Sequence, residues 1–262
     1  SVMPCYNELA TTPFFLWDPR VGVRGERRQP LCQTIDIPAT LLEFFGVELE
    51  PEIQGRPMRQ VLKKDEPLRE YAIFGFHGSF VNVTDGRWLY MRSSASVGNS
   101  PLYEYTLMPC HQETLFSPKE FTNAEICGPL PFTKGARIMK IPVPSRLANA
   151  TFCNSFQYGN LLFDLQNDPL QLNPLDNPEV EARMINAMLV QMKANDAPEE
   201  QYDRLGMLIA RADVWVWILT AFMTQNVSSV TERFVPVLTA SPLLRNTAGS
   251  RMHGIFSSVC SL

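Results

Sequence analysis

The N-terminal part of the chain carries a short apolar run followed by a helical pattern. Residues Pro13 to Trp17 are almost continuously apolar and are stopped by Asp18-Pro19, which predicts a strand buried on both faces of an α/β sheet. Beyond it, Asp36 lies near the start of a helical pattern that Gly46 ends. One face of that helix is apolar and consists of Pro38, Leu41, Leu42 and Phe45. We therefore expect a buried strand and an amphipathic helix within residues 1–60.

At Tyr71 the pattern changes to the alternation of β-strands. Apolar and polar residues alternate up to Arg92, and Thr84-Asp85-Gly86 supplies a hairpin turn between two β-rich runs. A further strand is predicted over Asn160–Leu165. Asn177-Pro178 then begins a helix whose apolar positions follow helical spacing, namely Val180, Met184, Ala187 and Met188. We expect this helix to cover a small antiparallel sheet, in a unit that spans residues 61–205.

Two stretches show no consistent pattern. Residues 93–150 hold many of the prolines and little periodicity, so we interpret them as a long irregular insertion of the kind that often carries function. Residues 206–262 form an atypical tail, which we expect to lie outside the native domain. Its apolar run is interrupted by Arg211 and Asp213, and charges near the middle of a membrane span are costly, so we predict no membrane helix there.

Composition narrows the classes of function. The formal net charge is −4 and the 23 basic residues are scattered, which argues against a nucleic-acid partner. The six cysteines lie far apart and show no CxxC or zinc-ligand spacing, which favours reduced thiols in an intracellular, cytoplasmic protein. Residues 1–12 have no basic and apolar regions of a secretory signal. A chain that is 45% hydrophobic can bury one large core or two smaller ones.

Three segments, in this order and spacing, carry a family resemblance. The first combines TPFFLWDPR, QTIDIPATLLEFFGV and IQGRPM, the second is VNVTDGRWLYMR, and the third is LLFDLQNDPLQLNPL. Together they span about Met3 to Leu205 and resemble the C-terminal portion of the type I, formylglycine-dependent sulfatases of the alkaline-phosphatase-like superfamily. The resemblance implies an α/β fold, namely the C-terminal part of an alkaline-phosphatase-like sandwich with a small antiparallel sheet subdomain covered by a C-terminal helix. Residues 1–60 would then supply the last strand and helix of the large catalytic sheet.

The chemistry of that family is not expected within this chain. Its nucleophile is a formylglycine made from a Cys-x-Pro-x-Arg type motif, and it acts beside a divalent cation, calcium or magnesium. None of the six cysteines has Pro and Arg at those offsets. In the family this motif, the metal ligands and the lysine that contacts sulfate precede the matched region. We therefore expect no catalytic residue, metal ligand or cofactor here, and place the cation and the formylglycine in a preceding N-terminal part.

Three residues are candidates for contact with a substrate. His77 lies in Gly75-Phe76-His77-Gly78-Ser79, where glycines permit close backbone approach and an imidazole can bind a sugar hydroxyl or a sulfate oxygen. The alternative is a histidine satisfied at a strand bulge. His111 and Lys134 lie in the irregular region, where binding loops tend to occur, although both also fit ordinary surface positions.

Other polar residues are assigned to the scaffold. Three histidines are too few for an independent metal site. The carboxylates in turn or cap positions have local backbone roles, and they are Asp18, Asp36, Asp85 and Asp164. A basic cluster could attract a sulfated saccharide, but a solvated loop explains it equally, so we leave it outside the site; it consists of Arg24, Arg27 and Arg28.

The sequence therefore predicts a sulfatase fragment that is inactive by itself and acts on a sulfated small molecule or saccharide. Two alternatives stay open: a non-catalytic binding module derived from the same fold, and part of a phosphonate or phosphodiester hydrolase of the same superfamily. The reading frame upstream of Ser1 would separate them, because only a hydrolase requires the nucleophile motif.

Overall fold

The fold was obtained as a computed structural model that describes residues 4, 6–108, 110, 114–150 and 154–207. Its helices are α1 (Asn7–Ala10), α2 (Asp36–Phe44), α3 (Arg59–Lys64), α4 (Ser145–Ala148), α5 (Pro178–Ala194) and α6 (Glu199–Arg204). Its strands are β1 (Ala72–Gly75), β2 (Val81–Thr84), β3 (Trp88–Arg92), β4 (Tyr103–Thr106), β5 (Glu125–Cys127), β6 (Ile138–Pro142) and β7 (Leu161–Asp164). The class is mixed α/β, with two small antiparallel sheets.

The larger sheet has the strand order β1-β2-β3-β7 and is antiparallel throughout. Val83 lies opposite Tyr90, and Tyr90 lies opposite Leu162, so strands far apart in sequence are paired in register. Asp85 stabilises the tight turn between β2 and β3 by accepting from the amides of Arg87 and Trp88, at 3.0 and 2.7 Å. The predicted hairpin and the predicted strand at Asn160–Leu165 are both confirmed.

The helix α5 covers one face of this sheet, as predicted. Asn177 caps it by accepting from the amide of Val180 at 3.2 Å, and Pro178 fits its first turn, where no amide proton is needed. Met184 and Met188 are fully buried on the face that packs against β1, β2 and β3. Tyr90 is equally buried and donates its hydroxyl to Glu181 at 3.0 Å, which anchors the helix to the middle of the sheet.

The opposite face of the sheet carries a second apolar cluster. It consists of the buried side chains of Phe80, Leu89, Met91 and Phe163. Tyr6 packs edge-on against Phe163, with ring centroids 6.0 Å apart, and brings the N-terminal segment onto the sheet. Full burial of such a side chain contributes about 1.5–3 kcal/mol, so both faces of this thin sheet stabilise the fold.

The stretch over residues 93–150, predicted as a long irregular insertion, contains a second sheet that its pattern does not show. Its strand order is β4-β6-β5, and all pairs are antiparallel. β5 has only three residues, too few to show alternation. β4 pairs with β6 rather than with the next strand in sequence, so no turn motif marks the pairing.

The predicted strand over Pro13–Trp17 is not formed. These residues belong to no strand, and Phe15 is 93% exposed. A strand buried on both faces requires paired neighbours, and no strand of the described ranges pairs with this segment. Its apolar side chains therefore lie at the surface.

The helix α2 forms close to the predicted bounds but buries the other face. Pro38, Leu41 and Phe45 are exposed, whereas Ala39 and Thr40 are buried. The reason is a strap formed by residues 55–58. Gly55 lies so close to the helix that a Cβ there would meet the carbonyl oxygen of Ile35 at 1.8 Å, and the Met58 amide donates to the Thr40 hydroxyl at 3.1 Å. Among the described residues, most of the predicted apolar face of α2 is thus left uncovered, and only Leu42 of that face is half-buried.

The predicted tail is described only at its beginning. Gly206 and Met207 belong to the folded part, since the Met207 amide donates to Tyr202 and the Met207 side chain is buried. Residues 208–262 lie outside the described residues, and so does the run with Arg211 and Asp213. Within the described ranges, every helix is too short or too polar to cross a membrane.

Candidate functional site

His77 lies at the tip of the connection between β1 and β2. The Ser79 amide donates to the Phe76 carbonyl at 3.0 Å, and Gly78 has φ +76°, the geometry of a type II turn with His77 and Gly78 at its centre. Gly75 precedes the turn, and a Cβ there would lie 2.4 Å from the Phe80 carbonyl oxygen. The glycine at 75 thus allows a close approach of the chain to itself, whereas the sequence had suggested approach to a ligand.

The imidazole of His77 is oriented by the second sheet. Its Nε2 lies 2.9 Å from the carbonyl oxygen of Tyr103, the first residue of β4. A carbonyl oxygen can only accept, so Nε2 carries the proton and Nδ1 keeps its lone pair when the ring is neutral. The residue is exposed, and Nδ1 has no hydrogen-bond partner among the described residues. It can therefore accept from a hydroxyl, or donate to an anion once the ring is protonated.

A buried guanidinium lies beneath the same turn. Arg204, at the end of α6, is 2% exposed and donates to the carbonyl oxygen of Ser79 from both terminal nitrogens, each at 3.2 Å. Asn99 reaches the turn as well, since its Nδ2 donates to the Gly78 carbonyl at 2.7 Å. Sequence reasoning missed both residues because a basic residue in a short charged helix resembles a surface position.

Lys134 is engaged elsewhere. It follows a 3₁₀ turn in a left-handed conformation, φ +51°, and its Nζ lies 3.2 Å from Glu50 and 3.7 Å from Glu52. The hydrogen bond to Glu50 raises the pKa of Lys134, so the ammonium stays charged and paired. None of the described hydrogen bonds or ion pairs joins Lys134 to His77, and His111 lies outside the described residues. Of the three candidates, His77 therefore has a ring nitrogen without a described partner, whereas Lys134 is paired with glutamates at the surface.

The acidic residues lie where the sequence predicted, with one addition. Asp85 and Asp164 accept from amides of their own turns, and Asp18 accepts from the amide of Arg20 at 2.9 Å. Asp36 does more than serve its own helix end, because it is fully buried and binds Arg69.

One residue of the basic cluster, Arg28, belongs to the scaffold. The Arg28 guanidinium donates to the carbonyl oxygens of Val61 and Leu62, at 3.0 and 2.6 Å, in the helix α3. Arg24 and Arg27 are exposed.

Two cavities have the volume of a small-molecule site, and His77 lines neither. One of about 500 Å³ is mainly apolar and lies between the N-terminal segment and the larger sheet. The other, of about 710 Å³, is lined by several arginines. Three of these are already paired with carboxylates: Arg69 with Asp36, Arg87 with Asp164, and Arg183 with Asp85. The second cavity therefore has little positive charge to spare for an anion.

The three arginine–carboxylate ion pairs also affect whether these carboxylates can bind a metal ion. Calcium and magnesium require clusters of hard oxygen ligands. In the described part of the chain, no three His, Cys, Asp or Glu side chains converge to hold an ion. The carboxylates of Asp36, Asp85 and Asp164 are all occupied by arginines, so they do not fit a cation.

No model of a known protein family matches this chain, and no curated protein matches it.

Proposed function

We propose that this chain is the C-terminal portion of a type I sulfatase, within an alkaline-phosphatase-like sandwich, and that it forms scaffold and one wall of the substrate cleft. Two of the three resembling segments support this by lying side by side. VNVTDGRWLYMR forms β2, the turn and β3, and LLFDLQNDPLQLNPL begins with β7, which pairs with β3. Segments that are distant in sequence thus form one sheet under α5, the arrangement that the resemblance implies.

The observation that carries the proposal is the uncovered apolar surface of the first segment. Phe15 is 93% and Phe45 is 73% exposed, and further apolar side chains of the same region lie open to solvent, namely Phe14, Trp17, Leu41 and Val47. Soluble proteins rarely leave so many large apolar side chains of one region open unless another surface covers them. The neighbouring strands of a large α/β sheet would cover this segment, so we infer that residues 1–60 complete a catalytic sheet whose other strands come from another part of the protein.

In this proposal His77 contacts the substrate from the cleft wall. Its Nδ1 accepts from a sugar hydroxyl when the ring is neutral, and donates to a sulfate oxygen when the ring is protonated. The sulfated substrate is a small molecule or a saccharide. The family's formylglycine would supply the nucleophile and its cation the charge stabilisation, and neither belongs to the described residues, so no catalytic step is assigned to them.

The reading frame upstream of Ser1 provides the test. We expect it to encode a Cys-x-Pro-x-Arg type motif, and the continuous protein to hydrolyse an aryl sulfate. The 262-residue chain by itself should show no turnover above background, because the nucleophile is absent. In the continuous protein, His77→Ala should raise KM, whereas Arg27→Ala, which changes an exposed cation, should leave it unaltered.

Each contrary outcome identifies one of the alternatives. Turnover of a phosphonate or phosphodiester in place of the sulfate would overturn the sulfatase assignment in favour of a related hydrolase. Absence of the motif upstream, together with retained binding of a sulfated saccharide, would show a binding module instead.

A further inference from the structure

Among the described residues, no carboxylate is paired with the buried guanidinium of Arg204. Its Nε donates to Gln201 at 3.0 Å and its Nη1 to Asn99 Oδ1 at 3.0 Å, and the remaining acceptors are main-chain carbonyls. None of the described ion pairs includes it. Burial lowers the pKa of Arg204 to about 10, which reflects the cost of this position. Packing alone does not require a charged group at this position, so the guanidinium is best explained by the acceptors that it serves.

The acceptors identify what the guanidinium holds. Both terminal nitrogens bind the carbonyl oxygen of Ser79, and Nη1 also lies 3.5 Å from that of Gly78. These are the two residues that follow His77 in its turn. The turn is thus fixed from beneath by a planar group with several donors, a geometry that lysine cannot reproduce.

Asn99 completes the support. It adopts a left-handed conformation, φ +47°, and is fully buried. Its Nδ2 donates to the carbonyls of Gly78 and Ala148 at 2.7 and 2.8 Å, while its Oδ1 accepts from Arg204. One amide therefore joins the turn, the guanidinium and the end of α4.

We propose that Arg204, acting with Asn99, is a positioning residue that fixes the orientation and the tautomer of His77. By holding the carbonyls of Gly78 and Ser79, it places the imidazole so that Nε2–H reaches the Tyr103 carbonyl and Nδ1 is turned to solvent. The inference deepens the proposed function, on which its role toward a sulfated ligand rests. Without these hydrogen bonds the turn would hold Nδ1 in the binding orientation for only part of the time. The apparent affinity for a ligand at Nδ1 would fall in proportion to that fraction.

The test uses the full chain with isotope-labelled histidine. Imidazole nitrogen NMR reports the tautomer directly, and His77→Ala assigns the signal among the three histidines. We expect one tautomer, Nε2–H, in the wild type and a mixture in Arg204→Met. The tautomer is read with the ring neutral. Inorganic sulfate is titrated with the ring protonated, because Nδ1–H can then donate to a sulfate oxygen and the His77 signal should shift. The variant should bind sulfate about tenfold more weakly if its turn is correctly placed about one tenth of the time. Met184→Ala is the control, because it removes a fully buried side chain of α5 and should leave the tautomer single.

A second variant keeps the proposal testable if Arg204→Met does not fold. Asn99→Gly removes the supporting amide while glycine retains the left-handed conformation, and it should also yield mixed tautomers. A single unchanged tautomer in either folded variant would overturn the inference. Absence of any sulfate-induced shift in the wild type would instead count against the proposed function, while the tautomer result would still decide the role of Arg204.

Discussion

Arg69 donates from both terminal nitrogens to the two carboxylate oxygens of Asp36, each at 2.6 Å. The carboxylate is fully buried and also accepts from the amides of Gln33 and Arg56, at 2.7 and 2.9 Å. Four hydrogen bonds thus converge on one side chain in the first turn of α2. They join the helix to the strap at residues 55–58 and to the segment that leads into β1, so Asp36 connects the N-terminal region to the larger sheet.

Replacing Asp36 should destabilise the protein severely. Asp36→Asn keeps the shape but removes the charge, which leaves Arg69 largely buried without a counter-ion, and breaking such a pair costs about 3–5 kcal/mol. Urea unfolding of the two proteins measures the difference. Asp176→Asn makes the same chemical change at an exposed position and should alter the free energy of unfolding by less than about 0.5 kcal/mol. A similar small effect at Asp36 would contradict the role assigned to the pair.

The same carboxylate should make stability depend on acid pH. Burial alone would raise the pKa of Asp36, but the hydrogen bonds from Arg69 and from the amides of Gln33 and Arg56 outweigh it and lower the pKa. In the unfolded chain the pKa of this carboxyl is about 3.9, which is above its pKa in the folded protein. As the pH falls, the unfolded state therefore binds the proton first. The stabilisation that ionised Asp36 gives to the folded state is present above about pH 4. It is lost as the pH falls through the pKa of Asp36 in the folded protein. The free energy of unfolding should thus fall more steeply below pH 4 in the wild type than in Asp36→Asn.

The parts of the fold that sequence predicts correctly have local signals. Asp85-Gly86 marks the hairpin of β2 and β3, and Asn177-Pro178 marks the start of α5, because each pair satisfies backbone geometry at one point of the chain. The second sheet was missed since β4 and β6 are paired across a long separation. Periodicity also finds an apolar face without showing what covers it. The apolar face of α2 and the apolar run Pro13–Trp17 are both predicted to be buried, whereas in the structure most of their large side chains are exposed and the run pairs with no described strand.

The candidate site was predictable only in its exposed part. His77 is marked by its flanking glycines, and Gly78 does adopt the positive φ that the turn needs. Arg204 has no such mark, because the sequence of α6 is rich in charged residues and only the tertiary structure shows that its guanidinium lies inside. Lys134 is predicted from its loop position, and the structure adds what the sequence does not show, namely that its ammonium is paired with Glu50 and Glu52 at the surface.

Glu200 should hold the second sheet to α6. Lys140 of β6 lies 2.8 Å from its carboxylate, and the hydroxyl of Tyr105 in β4 donates to it as well. We expect Glu200→Gln to cost about 1.5–3 kcal/mol, the usual value for hydrogen bonds to charged groups, and to speed amide hydrogen exchange in β4 and β6. Glu179→Gln, at an exposed position of α5, is the matched control. Unchanged exchange in both strands would show that the contact does not hold the sheet.

The uncovered apolar surface should limit solubility. Phe15 and Phe45 are mostly exposed, so we expect the wild-type chain to self-associate and to bind a hydrophobic dye. The double variant Phe15→Ser, Phe45→Ser should reduce both while changing the free energy of unfolding by less than about 1 kcal/mol. Phe80→Ser, within the core, should instead cost at least about 3 kcal/mol. A monomeric wild type with a sharp two-state melt would contradict the expectation.

Removing the tail should leave the folded part intact if the cut is placed after Met207. The Gly206 carbonyl accepts from Arg92 at 3.2 Å, and Met207 is buried, so a cut at residue 206 would remove contacts that belong to the core. We expect deletion of residues 208–262 to leave the free energy of unfolding unchanged or improved, because local propensity and pattern disagree throughout that stretch. The alternative is a native extension that packs Trp215 and Trp217 against the sheet, and its loss would cost several kcal/mol, on the order of other core deletions. A further deletion from residue 199 onward removes Arg204 and should destabilise the protein in either case. Urea unfolding of the three proteins therefore shows whether the tail belongs to the domain.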